Sequence, residues 1–396
     1  MLAADLWQQA VAGGGPVISP VDARGLMVAG GLVDVSFVWR GEAERTSVGW
    51  GTQQPMERAP GTDIWQRTFR LPATMRTIYY FSHIAVDEHR PPPGDSGSGP
   101  THVDPLNPDR LLFPGDPDDP TDRDGWVSVL TLPRAAPQTW CLPRPGVPAG
   151  TVERVELDGG HRVAIYRPSS GTSGRGGQPG GFRAGLPAVI VFDGYLARTM
   201  MAMPVTIDNL IAAGEIPPLV AIFVDGTDET RLEDLAPSSE KTTRFMIREL
   251  MPWARRVHGI SPYPQDVALA GMSLGGLTAA ALALRAPEVF GAVISHSGSF
   301  WWPAPAGGDP EWLTREVARR PRADVRFYLD VGDRERQIFL PGVPDQVTVN
   351  RRMRDALRAR GYPVTYAEYP GEHDYVNWRN TFADGLRAVF GHHPTR

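Results

Sequence analysis

Ser273 lies in Gly271-Met-Ser-Leu-Gly-Gly276, between the apolar run Val267-Ala-Leu-Ala270 and the alanine-rich segment Leu277-Thr-Ala-Ala-Ala-Leu-Ala-Leu-Arg285. Strand, G-x-S-x-G, helix is the order in which a very tight turn lifts a serine hydroxyl clear at a helix N-terminus. Small residues are needed on either side of the serine because the two elements nearly touch there. The pentapeptide alone would fit a serine that merely caps a helix. With both flanking elements present, it reads as a nucleophile.

A serine hydroxyl is a weak nucleophile near neutral pH and needs a histidine as base, which in this arrangement follows it in the chain with an acid between them. The histidines after Ser273 are His296, His373, His392 and His393. The last two belong to the chain terminus, and His296 ends an apolar strand, where a buried structural role is expected. His373, in Tyr369-Pro-Gly-Glu-His-Asp-Tyr375, lies in a loop between a strand, Val364 to Tyr369, and the final helix, and is the expected base. The acid should follow the strand Val325 to Val331, where Gly332-Asp-Arg-Glu335 offers two carboxylates. The G-x-x-acid spacing favours Glu335 over Asp333. Asp374 adjoins His373 and cannot easily reach its neighbour's ring.

An oxyanion hole for this chemistry combines two backbone amides, that of Leu274 just after the nucleophile and one from the loop after Ala188 to Phe192. That loop reads Asp193-Gly-Tyr-Leu196, so Gly194 is expected to let the backbone approach the substrate closely and Tyr195 to donate the second amide. Trp301 and Trp302 follow a strand end that faces the catalytic centre. They are read as pocket lining for flat rings, with core packing as the alternative. Arg231 and Arg379 either pair with Asp234 and Asp374 or meet an anionic substrate.

The elements that must hold these residues fall into two regions. From Pro187 onward, short fully apolar runs (Ala188 to Phe192, Leu219 to Val224, Val267 to Ala270, Ala292 to Ser295, Val325 to Val331) alternate with longer amphipathic ones. That pattern predicts a mostly parallel sheet covered by helices on both faces, an α/β-hydrolase. The first third alternates instead, over Gly31 to Arg40, Asp63 to Leu71 and Ile78 to His83, which predicts a smaller all-β sandwich. The expected division is 1–145 for the sandwich and 146–396 for the catalytic domain. A Pro-, Gly- and Asp-rich loop is expected between Pro91 and Asp124, and a mobile surface loop over Ser169 to Gly185.

The chain has 396 residues, more than one hydrophobic core usually serves. Its 40 Lys and Arg against 45 Asp and Glu give a net charge of −5 without a basic stripe, so no nucleic acid partner is expected. The single cysteine, Cys141, excludes an intrachain disulfide and a zinc–thiolate site. No apolar run reaches membrane-spanning length, and the first residues lack the basic and apolar regions of a signal peptide. The expectation is a cytoplasmic enzyme acting on a small-molecule ester, with no metal or organic cofactor and no membrane partner.

Several motifs resemble the enterochelin (ferric enterobactin) esterase family, over most of the chain. In the N-terminal part they are Phe37-Val-Trp-Arg40, Pro60-Gly-Thr-Asp-Ile-Trp65, Tyr79-Tyr-Phe81 and Asp104-Pro-Leu-Asn-Pro108. In the C-terminal part they are Phe192-Asp-Gly194, Arg231 with Asp234-Leu235, Glu249-Leu-Met-Pro252, Gly271 to Gly276, Ser297-Gly-Ser-Phe-Trp-Trp302, and Gly371-Glu-His-Asp374 with Trp378-Arg379. The resemblance implies an immunoglobulin-like N-terminal domain, an acid at Glu335, and hydrolysis of the trilactone of a catecholate siderophore in the cytoplasm. Glu372, where a glycine is commoner, and the long Ser169 to Gly185 segment depart from the family. Acyltransferases, thioesterases, cyclases and carbohydrate esterases share the hydrolase fold, and the fold does not choose among them.

The residue order carries its own test. Ser273→Ala and His373→Ala should each abolish ester hydrolysis, and the double variant should lose no more than either single one, because the two residues act as a unit. A fluorophosphonate should label Ser273; mass-spectrometric mapping of the label to another residue would displace the nucleophile.

Overall fold

A computed structural model of the chain describes residues 2–20, 31–49, 53–84, 101–117, 122–169, 185–226, 231–236, 239–303 and 308–391. Most of the Ser169 to Gly185 loop, and His392 and His393, lie outside the described residues. The chain forms two compact units, Met1–Pro137 with Pro370–Asn377, and Gln138–Tyr369 with Trp378–Arg396.

In the first unit the strands are β1 (Val17–Pro20), β2 (Leu32–Arg40), β3 (Arg45–Gly49), β4 (Gln54–Pro55), β5 (Glu57–Arg58), β6 (Ile64–Pro72), β7 (Arg76–Ile84), β8 (Thr101–His102), β9 (Arg110–Phe113) and β10 (Gly125–Thr131). They build two antiparallel sheets, in the orders β1-β2-β6-β5 and β4-β3-β7-β10-β9, with β8 beside β7. The alternation in β2 turns Val33, Val35 and Phe37 inward onto Tyr79, Phe81 and Leu130 of the other sheet. Asp104-Pro-Leu-Asn-Pro108 locks this core: the buried Asp104 accepts from the Tyr79 hydroxyl at 2.8 Å, and Asn107 donates to that hydroxyl at 3.0 Å.

The fold departs from the sequence expectation in several places. The stretch between Pro91 and Asp124, expected as a loop, contributes β8 and β9 to the second sheet, where pairing with β7 and β10 overrides the Pro- and Gly-rich composition. A helix, Ala3–Gly13, precedes the sandwich, with only Leu6 and Ala10 buried, against Val38 and Ile64. Two buried positions make too short an apolar stripe to read as helical periodicity. The division also falls at Pro137 rather than near 145. The segment after it is tied into the second unit, where the Asn209 amide donates to the carbonyls of Trp140 and Leu142 at 2.7 and 2.9 Å.

A further departure concerns the segment that carries His373, which belongs to the first unit. Asp374 is completely buried, and four donors converge on its carboxyl. The Thr77 hydroxyl and the Ile78 amide of β7 donate to Oδ2 at 2.6 and 3.4 Å, while the Asn377 amide and side chain donate to Oδ1 at 3.1 and 3.0 Å. Tyr375 packs edge-on against Phe113 of β9, with ring centroids 5.3 Å apart.

The second unit is one eight-stranded sheet in the order β11-β12-β14-β13-β15-β16-β17-β18. Its strands are β11 (Thr151–Leu157), β12 (His161–Arg167), β13 (Ala188–Phe192), β14 (Val220–Val224), β15 (Val267–Met272), β16 (Ala292–His296), β17 (Arg326–Gly332) and β18 (Val364–Tyr369). The β11–β12 and β12–β14 pairings are antiparallel and the other five parallel. Every residue of β13, β15 and β16 is buried, as expected for parallel strands covered on both faces. This is the α/β-hydrolase fold. No helix among the described residues is long and apolar enough to cross a membrane.

Burial pushes the Asp374 carboxyl up to about 7, against the pull of the Thr77 and Asn377 donors. A folded pKa raised above the unfolded value of 3.8 stabilises the fold fully below about pH 4, and that contribution is lost as pH rises through about 7. Thermal denaturation from pH 4 to pH 8 should therefore cost the native protein more than Asp374→Asn, by up to roughly 4 kcal/mol for a shift of about three units. Parallel melting curves for the two proteins would show that Asp374 does not carry this dependence.

Candidate active site

Three neighbouring parallel strands end in three strained turns. The residue after β13, Asp193, has φ 54°; the residue after β15, Ser273, has φ 54°; the residue after β16, Ser297, has φ 48°. None is glycine, and each such residue costs of order 1–3 kcal/mol and persists only where its surroundings enforce it. Strand pairing sets Met272 opposite His296, which places the Ser273 and Ser297 turns side by side at the carboxyl edge of the sheet. That edge is where α/β folds bind their ligands.

At the Ser273 turn (φ 54°, ψ −117°) the serine amide donates to the His296 carbonyl at 2.9 Å, and the serine carbonyl accepts from the amides of Ser299 and Leu277 at 2.9 and 3.2 Å. The helix Leu274–Arg285 follows at once. A side chain at Gly271 would put its Cβ 2.4 Å from the Gly275 backbone, so strand and helix can cross only if that residue is glycine. Ser273 Oγ lies 3.1 Å from Ser299 Oγ. Leu274 opens the helix, so its amide is one of the first-turn N–H groups that lack an intrahelical acceptor.

The Asp193 turn leads into the short helix Gly194–Arg198. A Cβ on Gly194 would meet Phe223, Val224 and Asp225 at 2.6–2.7 Å, so the backbone at this glycine lies directly against the end of β14. Tyr195 lies in the first turn, its ring 4.8 Å from the Arg198 guanidinium, which in turn pairs with the buried Asp225 at 2.9 Å. Arg231 does not pair with Asp234. Its guanidinium grips Asp193 with two bonds, at 2.6 and 2.9 Å, while Lys241 takes Asp234. A bidentate pair of this kind fixes the carboxylate in plane, and it holds the Asp193 turn beside the serine elbow.

Glu335 is fully buried, whereas Asp333 is half-buried. Glu335 Oε1 accepts from the Gly332 amide at 2.7 Å and from the Ser297 hydroxyl at 2.5 Å, and that hydroxyl accepts from Trp378 Nε1 at 2.9 Å. The turn after Ser297 is itself pinned: Gln346 donates to the carbonyls of Ser297 and Gly298, and Asn350 donates to Gly298 at 2.9 Å. Ser297, Ser299, Gln346 and Asn350 did not stand out by chemistry in the sequence. A signal was nonetheless present, because Gln346 and Asn350 fall four apart on the apolar, buried face of the helix Gln346–Ala359.

His296 is fully buried, with Nδ1 2.8 Å from Asp330 Oδ2 and 3.2 Å from Thr381, a structural position at the strand end. His373 is half-buried in the segment that Asp374 anchors in the first unit. Arg379 donates to the carbonyl of Cys141 at 3.2 Å. Trp301 and Trp302 are half-buried, their rings 5.3 Å apart, and Phe339 stacks on Trp301 at 5.2 Å with a 12° tilt. Phe339 is 41% exposed and lies between the exposed Ile338 and Leu340, in the loop that Glu335 begins. Sequence reading missed it because a lone phenylalanine in a loop carries no periodic signal.

A strained serine at a strand–helix elbow of this sheet defines a serine hydrolase of the α/β type. The chain belongs to the putative esterase family, whose model matches residues 162–389, and residues 34–141 match the N-terminal domain of enterochelin esterases. The iron(III) enterobactin esterase of Dickeya dadantii is 29% identical over 96% of this chain and 91% of its own length. That of Escherichia coli K12 is 28% identical over 84% and 81%. The fold is that of the enterobactin esterase FES from Shigella flexneri, crystallised in the presence of enterobactin, with a TM-score of 0.70 and 23% identity over 95% and 96% of the two chains.

The two carboxylates differ in burial, and their variants are expected to differ in rate. Glu335→Gln should lower kcat at least about 100-fold, since it disturbs a buried acid bonded to Ser297 and Gly332, whereas Asp333→Asn should stay within a few-fold of the native enzyme. Steady-state kinetics on a p-nitrophenyl ester measure both; the reverse order would move the acid to Asp333.

Proposed function

We propose that the protein is a cytoplasmic serine esterase that hydrolyses the ester bonds of a catecholate siderophore trilactone, such as ferric enterobactin, so that its iron is released. The observation that carries this reading is the aromatic shelf of Trp301, Trp302 and Phe339, which begins two residues beyond Ser299, the neighbour of Ser273 Oγ. Flat apolar faces beside a nucleophile suit the dihydroxybenzoyl rings of such a substrate. Similarity along nearly the whole chain to proteins named iron(III) enterobactin esterases supports it. The cytoplasmic placement rests on the single cysteine, which leaves no intrachain disulfide to protect.

In the proposed mechanism His373 takes the Ser273 proton as Oγ attacks an ester carbonyl, and Glu335 is the acid of the triad. The amides of Leu274 and Tyr195 stabilise the oxyanion. His373 then protonates the departing seryl hydroxyl, and water, activated by the same histidine, cleaves the acyl-enzyme. These steps need no cofactor; iron enters as cargo of the substrate. Gly194 admits the backbone to the reacting carbonyl. Arg231 serves the site through Asp193, which it holds in place, rather than as a free cation for the ligand.

Product analysis tests the reading. Purified enzyme should convert enterobactin to linear trimer, dimer or monomer of dihydroxybenzoylserine. Trp301→Ala or Phe339→Ala should raise KM for the lactone about tenfold, the equivalent of one aromatic contact, and leave KM for p-nitrophenyl acetate nearly unchanged. If ferric and iron-free enterobactin both stay intact while simple esters turn over, the siderophore reading fails and an acyl-transfer or general esterase activity takes its place.

A further inference from the structure

The segment that carries His373 is held by groups that a lone hydrolase domain would not contain. Asp374, the next residue, is fully buried and receives the hydroxyl of Thr77, 297 positions earlier in the sequence, at 2.6 Å, with the Ile78 amide on the same oxygen. Tyr375 closes on Phe113. Within the segment Asn377 fills the other carboxyl oxygen and also donates to the Glu372 carbonyl at 3.4 Å, and the Asp374 amide turns back to that carbonyl at 2.9 Å. Consecutive Cα atoms are about 3.8 Å apart, so fixing Asp374 and Tyr375 to β7 and β9 confines the backbone of His373.

We propose that Thr77 is a positioning residue for the reaction, and that the N-terminal β-unit serves catalysis by holding, through the Thr77–Asp374 hydrogen bond, the backbone from which His373 acts. This rests on the reading of His373 as the base. The chemistry of the contact suits the task. A carboxyl with all its acceptor sites occupied has one arrangement, whereas a five-residue loop, 370–374, held only at its ends has many. A base displaced by about 1 Å can cost on the order of 100-fold in rate while leaving ligand contacts intact.

The test replaces Thr77 by Val, which keeps the β-branched shape and removes the donor. Expected is a fall in kcat of about 10- to 100-fold on enterobactin and on p-nitrophenyl acetate alike, with KM for each within about twofold of the native value. Fluorophosphonate labelling of Ser273 should slow in parallel, and Thr77→Ser, which restores the hydroxyl, should recover most of the rate. Circular dichroism establishes that the variants are folded. Should Thr77→Val not fold, Phe113→Leu removes the second anchor and is expected to lower kcat in the same way. Native kcat in a folded Thr77→Val, or a rise in KM for enterobactin alone, overturns the proposal, as does failure of Thr77→Ser to recover activity. His373→Ala is assayed alongside: if it stays active the base assignment is at fault, whereas an inactive His373→Ala beside a fully active Thr77→Val refutes the positioning role by itself.

Discussion

The structure depends on a steric constraint at one edge of one sheet, where three adjacent parallel strands each end in a non-glycine residue with positive φ: Asp193, Ser273 and Ser297. Such backbone is unfavourable for residues with a Cβ and persists only where packing leaves no alternative. Here the enforcement is visible. Gly271 lets helix and strand cross in contact, Gly194 lies against the backbone of β14, and the Ser297–Gly298 turn is held by Gln346 and Asn350. The strain turns functional groups out of a sheet whose central strands β13, β15 and β16 are buried throughout.

Behind that edge lies a layer of polar side chains with little access to water, and burial makes their satisfaction matter. Glu335 would be costly to bury as an isolated carboxylate, yet it receives the Gly332 amide and the Ser297 hydroxyl, and Trp378 steadies that hydroxyl from the final helix. Asp193 is likewise matched by the fork of Arg231. The same economy explains why Arg231 is not a free cation awaiting an anionic ligand. A guanidinium that already makes two short bonds to a carboxylate would have to give them up to bind another anion.

The β-sandwich has its own polar lock, Tyr79 with Asp104 and Asn107, and its own buried acid in Asp374. The first holds β7 to the loop before β9. The second gathers the segment 370–377 into the sandwich, although that segment arises between a strand and the last helix of the hydrolase sheet. A unit that looks accessory by sequence position thus contains the histidine that the sequence assigns to catalysis.

The sequence by itself determined the elements whose signal is local. The G-x-S-x-G turn between an apolar strand and an alanine-rich helix and the run of fully apolar strands are written in neighbouring residues, because periodicity and tight-turn sterics act over a few positions. The strands Ala188–Phe192 and Val364–Tyr369 occur over the same residues in the fold. Tertiary structure decided what depends on residues far apart in the chain: that Arg231 meets Asp193 and not Asp234, that Phe339 stacks on Trp301, that Gln346 and Asn350 hold the Ser297 turn, and that Asp374 belongs with Thr77. The physical reason is that a hydrogen bond or ring contact is fixed by positions in space, and a polar residue's partner across tens or hundreds of positions leaves no periodic mark in the sequence.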